Sequence, residues 1–175
     1  MSTAPRFQEI ATETLSENVF RLIGKEWMLI TAGDQQVFNP MTASWGGMGF
    51  LWGRPVAFVF VRPQRHTFGL MERGAGFTLS FFGPEHREAL NYCGTHSGRD
   101  VDKIAATGLT PLFAPTGEVY FAQARLVLVC HKLYAQDLTE ASFVQRAIVD
   151  EAYAAHDFHR MYVGEVVQVL ARAEG

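Results

Sequence analysis

The sequence has 175 residues, a length typical of one domain, and its apolar fraction of 48% allows a core that needs no disulfide or metal. A net charge of -3 without any basic run argues against a nucleic-acid binder and against docking on an anionic membrane. The N-terminus has no apolar signal core and no run of about 18 apolar residues is present, so a cytoplasmic protein is expected. In that reducing compartment Cys93 and Cys130 are expected to be thiols.

The N-terminal half is predicted to contain strands after a polar segment, residues 1–18, that is expected to be loosely ordered. Three apolar runs bounded by turn signals are the predicted strands, namely Trp27–Thr31, Val56–Val61 and Phe77–Phe82. The second run is apolar at every position, which indicates that both of its faces are covered. A short helix is predicted over His66–Arg73.

The C-terminal half is predicted to mix short helices with strands. The helices are Pro84–Cys93 and Asp100–Thr107, each placed from its proline or acidic start and its glycine end, and Phe143–Tyr153, whose residues fit a helix. The strands are Glu118–Phe121, Arg125–Tyr134 and Met161–Leu170. The second of these is predicted to be apolar on both faces, one carrying Leu126, Leu128 and Cys130 and the other Val127, Val129 and Leu133.

Roughly six strands without regular βαβ alternation favour one mainly β domain over residues 1–175, an antiparallel barrel with short helical insertions. No G-x-G-x-x-G follows a strand and no Walker sequence is present, which argues against a Rossmann or P-loop site.

The segment Asn39–Gly47 is the first candidate site. Its small, hydroxylated and glycine residues let the backbone approach a ligand and offer N–H donors. A flavin needs such donors near its pyrimidine edge, where negative charge accumulates on reduction. Composition alone favours a simpler interpretation, a tightly packed β-bulge and turn. The candidate residues are Met41, Thr42, Ala43, Ser44 and Trp45.

Two further segments are candidates for holding one phosphate. The segment 62–67 follows an apolar strand and carries two guanidinium groups, which match phosphate oxygens. A solvated turn explains this segment equally well. The segment 95–103 is a glycine-containing loop at a helix N-terminus, which is a good anion site, although Asp100 as an N-cap and a solvated lysine are the simpler explanation. The residues are Arg62, Arg65 and Thr67 in the first segment and Ser97, Gly98 and Lys103 in the second.

His156 and His159 lie three residues apart just before the closing strand. His159 is a candidate to donate a hydrogen bond to a flavin or a nicotinamide. Without a third ligand no metal site is predicted, and two surface histidines are the simpler interpretation. Cys93 is expected to be a buried, inert thiol, with redox activity as the alternative.

Five segments in this order resemble the flavoredoxin-like branch of the flavin reductase-like family, over most of the chain from Phe20 to Val169. They are Asn39–Gly47, with the pattern N-x-M-T-A-S-W-G-G, then Val61–Thr67, Phe77–Phe82, Tyr92–Lys103 and Asp157–Glu165. Each segment alone would be a weak signal, whereas five in the same order are specific.

The resemblance implies a split β-barrel of Greek-key type that binds FMN in a cleft near the interface of a homodimer. It implies that Thr42 to Trp45 line the isoalloxazine ring, that Arg62, Arg65 and Thr67 lie near the ribityl chain or phosphate, and that Ser97, Gly98 and Lys103 close that end. Met41, Cys93 and Gly94 are included in the same site, and His159 matches the family histidine near the flavin or nicotinamide.

The resemblance also implies hydride transfer from NADH or NADPH to the flavin, with electrons then passing to a flavin or another small acceptor. Three functions are open at this stage. They are an NAD(P)H-dependent flavin reductase, an FMN electron carrier that is reduced by a protein partner, and a flavin-binding module without catalysis.

Overall fold

The computed structural model describes residues 7–173, and its main feature is an antiparallel sheet. The strands are β1 (Phe7–Ile10), β2 (Met28–Gly33), β3 (Phe38–Ala43), β4 (Gly46–Leu51), β5 (Arg54–Val61), β6 (Gly76–Phe81), β7 (Pro111–Phe113), β8 (Val119–Phe121), β9 (Leu126–Asp137) and β10 (Arg160–Arg172). Eight strands form one sheet in the order β3-β2-β6-β9-β10-β5-β4, with β1 also paired to β10, and β7 pairs with β8. Residues 1–6 of the segment expected to be loosely ordered lie outside the described residues, whereas residues 7–10 form β1.

The connection between β3 and β4 turns this sheet into a split barrel. These two strands are the opposite ends of the strand order, yet only Ser44 and Trp45 separate them in the chain. The sheet must therefore curl until its two ends meet at this dipeptide. Gly46 lies at the meeting point with φ +152, and a Cβ there would come within 2.7 Å of the Phe58 carbonyl oxygen.

Five short α-helices cover parts of the barrel, α1 (Val19–Arg21), α2 (His66–Arg73), α3 (Arg87–Thr95), α4 (Lys103–Thr107) and α5 (Ala147–Ala152). The predicted range of α2 is confirmed. Helix α4 begins later than predicted because Asp102, not Asp100, is the N-cap, accepting from the backbone N–H of Ile104 at 2.9 Å. Among residues 7–173, no helix is long and apolar enough to cross a membrane.

The two faces of β9 pack into two separate cores, as its alternating apolar residues predict. Leu128 and Cys130 belong to the barrel interior together with Phe77 and Tyr162. Val127 and Val129 face the other way and pack against side chains of α3 and β8. The assignment of Leu133 to that second face is wrong, because a register shift between β9 and β10 falls beside it and its side chain is 40% exposed.

Strand β5 is covered completely on one face and partly on the other, where the sequence predicts that both faces are covered. Ala57, Val59 and Val61 are buried in the barrel interior. On the opposite face Val56 is buried, whereas Phe58 and Phe60 are half-buried in the single chain. This incompletely covered face lies beside the junction of β3 and β4, and it forms part of the site described next.

Candidate functional site

A cavity of about 210 Å³ opens at the junction of β3 and β4. Its walls come from that junction, from the end of β5 and from the residue before β10. The lining residues are Met41, Thr42, Ala43, Ser44, Trp45, Phe60, Arg62, Arg65 and His159. Eight of the nine were candidates from the sequence, and Phe60 is the addition. We call this space the ring-end cavity, because the aromatic side chains of Trp45 and Phe60 line it.

A second cavity, of about 140 Å³, adjoins the first at Arg65, which lines both. Its lining residues are Asn39, Gln64, Arg65, His66, Thr95, His96, Ser97, Gly98 and Lys103. We call it the cationic cavity. Together the two cavities form one elongated site at the lower end of the volume range of small-molecule pockets, roughly 300–1,000 Å³.

Two cations, Arg65 and Lys103, bind the last carbonyls of α3. Arg65 Nη1 donates to the Gly94 carbonyl at 3.0 Å, and Lys103 Nζ donates to the carbonyls of Cys93 at 2.9 Å and Pro40 at 2.8 Å. Carbonyls at the C-terminal end of a helix carry partial negative charge, so cations there are stabilised. Cys93 and Gly94 thus contribute backbone oxygens to the site.

The ammonium group of Lys103 is buried, with 4% of the residue exposed, whereas the simpler interpretation of the sequence had it solvated. Burial lowers the pKa of Lys103 to about 8. An ammonium has three N–H donors, and among residues 7–173 only two acceptors contact it. Because Lys103 lines the cationic cavity, the third donor is available to an anion bound there.

Thr67 holds the wall of the cationic cavity rather than lining it. Its buried hydroxyl accepts a hydrogen bond from Asn39 Nδ2 at 2.7 Å, and the same amide donates to the Pro40 carbonyl at 3.2 Å. The Gly98 backbone packs directly against that amide, since a Cβ at Gly98 would lie 1.9 Å from Asn39 Oδ1. The close packing explains why a glycine occupies this position.

Arg62 lies at the ring-end cavity only, because other groups hold its guanidinium there. Nη1 pairs with the Asp157 carboxylate and Nη2 donates to the Ala152 carbonyl at 2.9 Å. The hydrogen bond from Arg62 holds the pKa of Asp157 below its usual range. Arg62 therefore fastens the segment before β10 to the end of β5, while Arg65 reaches both cavities.

His159 is buried beside the ring-end cavity, so the interpretation of two surface histidines is wrong for this residue. Its Nδ1 lies 2.8 Å from the Tyr153 hydroxyl, and its ring centroid lies 5.2 Å from that of Trp45. Burial, and then the charge of Arg62, lower the pKa of His159 to about 4. The imidazole is consequently neutral near pH 7. His156 is exposed and pairs with Glu140 instead.

The thiol of Cys93 is buried in the second core, and burial raises its pKa. A thiol that stays protonated is a poor nucleophile, so the burial of Cys93 supports the expectation of an inert side chain. Cys130 is also a free, buried thiol.

Phe60 and Tyr153 complete the site and lie outside the candidate segments. Asn39 and Asp157 lie within candidate segments, although neither was given a role of its own. Phe60 could have been found from its place two residues before Arg62, on the less covered face of β5. Tyr153 reaches the site through a long connection, and no local pattern in the sequence points to it.

The arrangement suits a flat, elongated anion. The ring-end cavity offers Trp45, Phe60 and polar backbone, and the cationic cavity offers two guanidinium or ammonium groups and a glycine-containing loop. Buried cations with unused donors stabilise a phosphate through charge-assisted hydrogen bonds.

Comparison with known proteins agrees with this geometry. The profile of the flavin reductase like domain matches residues 20–175. No curated protein matches the chain. An FMN-binding domain of a flavin reductases-like enzyme from Shewanella baltica OS155 superposes with a TM-score of 0.69 at 15% identity, covering 97% of this chain and 79% of that one.

Two further solved structures have the same fold. Flavoredoxin of Desulfovibrio vulgaris (Miyazaki F) gives a TM-score of 0.65 at 18% identity, over 93% of this chain and 76% of that one. An NADH:FAD oxidoreductase from Streptomyces globisporus C-1027, in complex with NAD and FAD fragments, gives 0.63 at 17% identity, over 85% and 74% of the two chains.

Proposed function

The chain belongs to the family of flavin reductase-like domains, and on that premise we propose that it is an FMN-dependent oxidoreductase, an NAD(P)H:flavin reductase that works as a homodimer. The observation that carries the proposal is the elongated site, in which the ring-end cavity with its aromatic walls continues into the cationic cavity through Arg65. FMN has this shape and charge distribution, a planar ring joined by a chain to a phosphate.

The residues present fit FMN at both ends. Thr42 to Trp45 would hold the isoalloxazine ring, with Phe60 as a further apolar wall. Arg65, Lys103 and the loop at Ser97 and Gly98 would hold the phosphate, and the unused N–H of Lys103 supports this assignment. When bound, FMN supplies the hydride and electron chemistry.

The side chains of the site orient and shield, and none needs to act as a nucleophile. The strand junction offers backbone donors beside the ring, where they stabilise negative charge without reorganisation. Arg62 keeps the connection before β10 closed against β5 through Asp157, which limits the access of water. Neutral His159 supplies a polar group at the wall of the ring-end cavity.

The hydride donor is NADH or NADPH, which would lie on the open side of the ring-end cavity beside the half-exposed Trp45. The Streptomyces globisporus structure, an NADH:FAD oxidoreductase holding NAD and FAD fragments, supports a pyridine nucleotide on this fold. The electrons then pass to a flavin or another small acceptor. Two free thiols are compatible with a cytoplasmic location.

A second copy of the chain would cover the open face of β4 and β5. Half-buried Phe58 and Phe60 share this face, and Trp52, which is 57% exposed, contacts Tyr134 on the same face. A contiguous apolar surface of this kind favours an interface. Because Phe60 also lines the ring-end cavity, the interface would adjoin the flavin.

The test is an absorbance spectrum of the purified protein after incubation with FMN and desalting, followed by anaerobic addition of NADH or NADPH. Retained flavin bands that bleach with either nucleotide are expected. Retained bands that neither nucleotide bleaches would refute the reductase and favour an electron carrier reduced by a protein partner, or a binding module. A chain that retains no FMN and leaves its fluorescence unchanged on titration would refute the flavin site itself.

A further inference from the structure

Tyr153 contacts His159 at the wall of the ring-end cavity, and its own position is fixed. The residue is 4% exposed, its ring stacks on Phe158 with centroids 4.8 Å apart, and the Arg62 guanidinium lies 5.4 Å from its centroid. Its hydroxyl lies 2.8 Å from His159 Nδ1, with the two rings edge to face. The hydroxyl is thus held in one place relative to the imidazole.

The hydrogen-bond partners of the hydroxyl determine where the protons lie. Burial raises the pKa of Tyr153 and lowers that of His159, so both groups are neutral near pH 7. Among residues 7–173, His159 Nδ1 is the only partner of the Tyr153 hydroxyl. If Nδ1 carried the imidazole proton, the buried phenol O–H would have no protein acceptor, which is costly. Donation from the phenol to Nδ1 leaves the imidazole proton on Nε2.

The other nitrogen of His159 is left free by the protein. No residue in 7–173 makes a hydrogen bond with Nε2, and the imidazole lines the ring-end cavity. The charged groups facing it are Arg62, directly after β5, and Asp157 from the connection before β10. Arg62 disfavours a second positive charge beside it, which keeps the ring neutral.

We propose that Tyr153 is a positioning residue, which fixes His159 as the Nε2–H tautomer so that the imidazole presents a neutral hydrogen-bond donor to a carbonyl oxygen of the bound ligand. The identity of that ligand, a flavin or a nicotinamide, rests on the proposed function, whereas the tautomer rests only on the Tyr153 contact. The donor keeps its proton, so its task is to orient the ligand and stabilise developing negative charge.

The tautomer is measured by long-range ¹H–¹⁵N correlation spectra of the ¹⁵N-histidine-labelled protein, with His159→Gln used to assign the signals. The wild type is expected to carry the proton on Nε2, with and without FMN. Tyr153→Phe keeps the ring and removes the hydroxyl, so it is expected to give a mixture of tautomers. A wild-type proton on Nδ1, or an unchanged single tautomer in Tyr153→Phe, would overturn the proposal. The wild-type spectrum decides the first point even if the variant fails to fold.

Reduction rates of the FMN-loaded protein test whether Tyr153 acts through His159. Loss of one hydrogen bond of ordinary strength is worth about tenfold, so Tyr153→Phe is expected to slow reduction about tenfold while FMN retention stays as in the wild type. In a His159→Gln background, the glutamine amide is a donor without any Nδ1, and Tyr153→Phe is expected to have no further effect. An equal loss in both backgrounds would show a structural role only.

A matched control separates this effect from the removal of any tyrosine hydroxyl. Tyr120 packs against Phe7 away from both cavities, so Tyr120→Phe is expected to leave the reduction rate and the histidine spectra unchanged. A wild-type protein that shows the Nε2–H tautomer but binds no FMN would refute the proposed function and leave the positioning of His159 intact.

Discussion

Replacing Gly98 by alanine places a methyl group inside the wall of the cationic cavity. The new Cβ would lie 1.9 Å from Asn39 Oδ1 and 3.1 Å from His66 Cδ2. The backbone of Gly98 is not in the left-handed region, so the cost comes from contact alone. The buried Asn39 amide must move away from Thr67 and break the 2.7 Å hydrogen bond between them. Losing that bond and leaving its buried partner unsatisfied is expected to lower the free energy of unfolding by about 2 kcal/mol.

Urea denaturation of the variants measures the loss in the free energy of unfolding. Fluorescence titration measures the affinity for FMN, which is expected to fall at least about tenfold because the cavity wall is displaced. Gly24→Ala is the matched control, because a Cβ at Gly24 meets nothing within 4 Å. In an Asn39→Ala background only the 3.1 Å contact with the His66 ring remains, so Gly98→Ala is expected to cost much less than in the wild type. An equal cost in both backgrounds would refute the reasoning.

Three further predictions concern charge and assembly. Because burial lowers the pKa of Lys103 from 10.5 to about 8, the unfolded chain binds more protons in this window, so stability rises with pH there. Between pH 7 and 10.5, the free energy of unfolding measured by urea denaturation is expected to rise by about 3 kcal/mol less in Lys103→Met than in the wild type. An equal rise in the two proteins would contradict the assignment. Folding lowers the pKa of His159 from 6.5 to about 4, so the stability that depends on its neutral form is complete above pH 6.5 and is lost as the pH falls towards 4. Over this window His159→Gln is expected to lose about 3 kcal/mol less stability than the wild type. Trp52→Lys is expected to give a monomer in sedimentation velocity, whereas Val144→Lys, at an exposed apolar residue in the connection between β9 and α5, keeps the dimer; a dimeric Trp52→Lys would exclude that face.

The strands with continuous apolar runs could be predicted from the sequence, and those rich in glycine or proline could not. Strand β6 and the first five residues of β9 are buried and rich in aliphatic or aromatic side chains, which gives a strong local signal. Strands β3 and β4 contain Pro40 and three glycines, residues that weigh against a strand when the sequence is considered alone. Their extended form is imposed by pairing with β2 and β5.

The site could be predicted where its residues are consecutive and not where they meet across the fold. The junction at Thr42 to Trp45 is one segment, so it was found as a unit. Arg62 and Asp157 are 95 positions apart, and nothing local in either segment indicates their contact. Lys103 was a candidate for the phosphate site, but its burial could not be predicted, because it depends on the start of α4, which is decided by the cap at Asp102.

The sharing of Arg65 between two cavities has a consequence for cooperativity. One guanidinium lines both cavities and also holds the carbonyls that end α3. A group bound in either cavity that moves Arg65 changes both the affinity at the other end and the stability of the last turn of that helix. Coupling free energies are reciprocal, so binding in one cavity changes the free energy of binding in the other by the same amount, whichever group binds first. Riboflavin and free phosphate, bound as separate molecules, would therefore bind non-additively, each altering the affinity of the other through this one side chain.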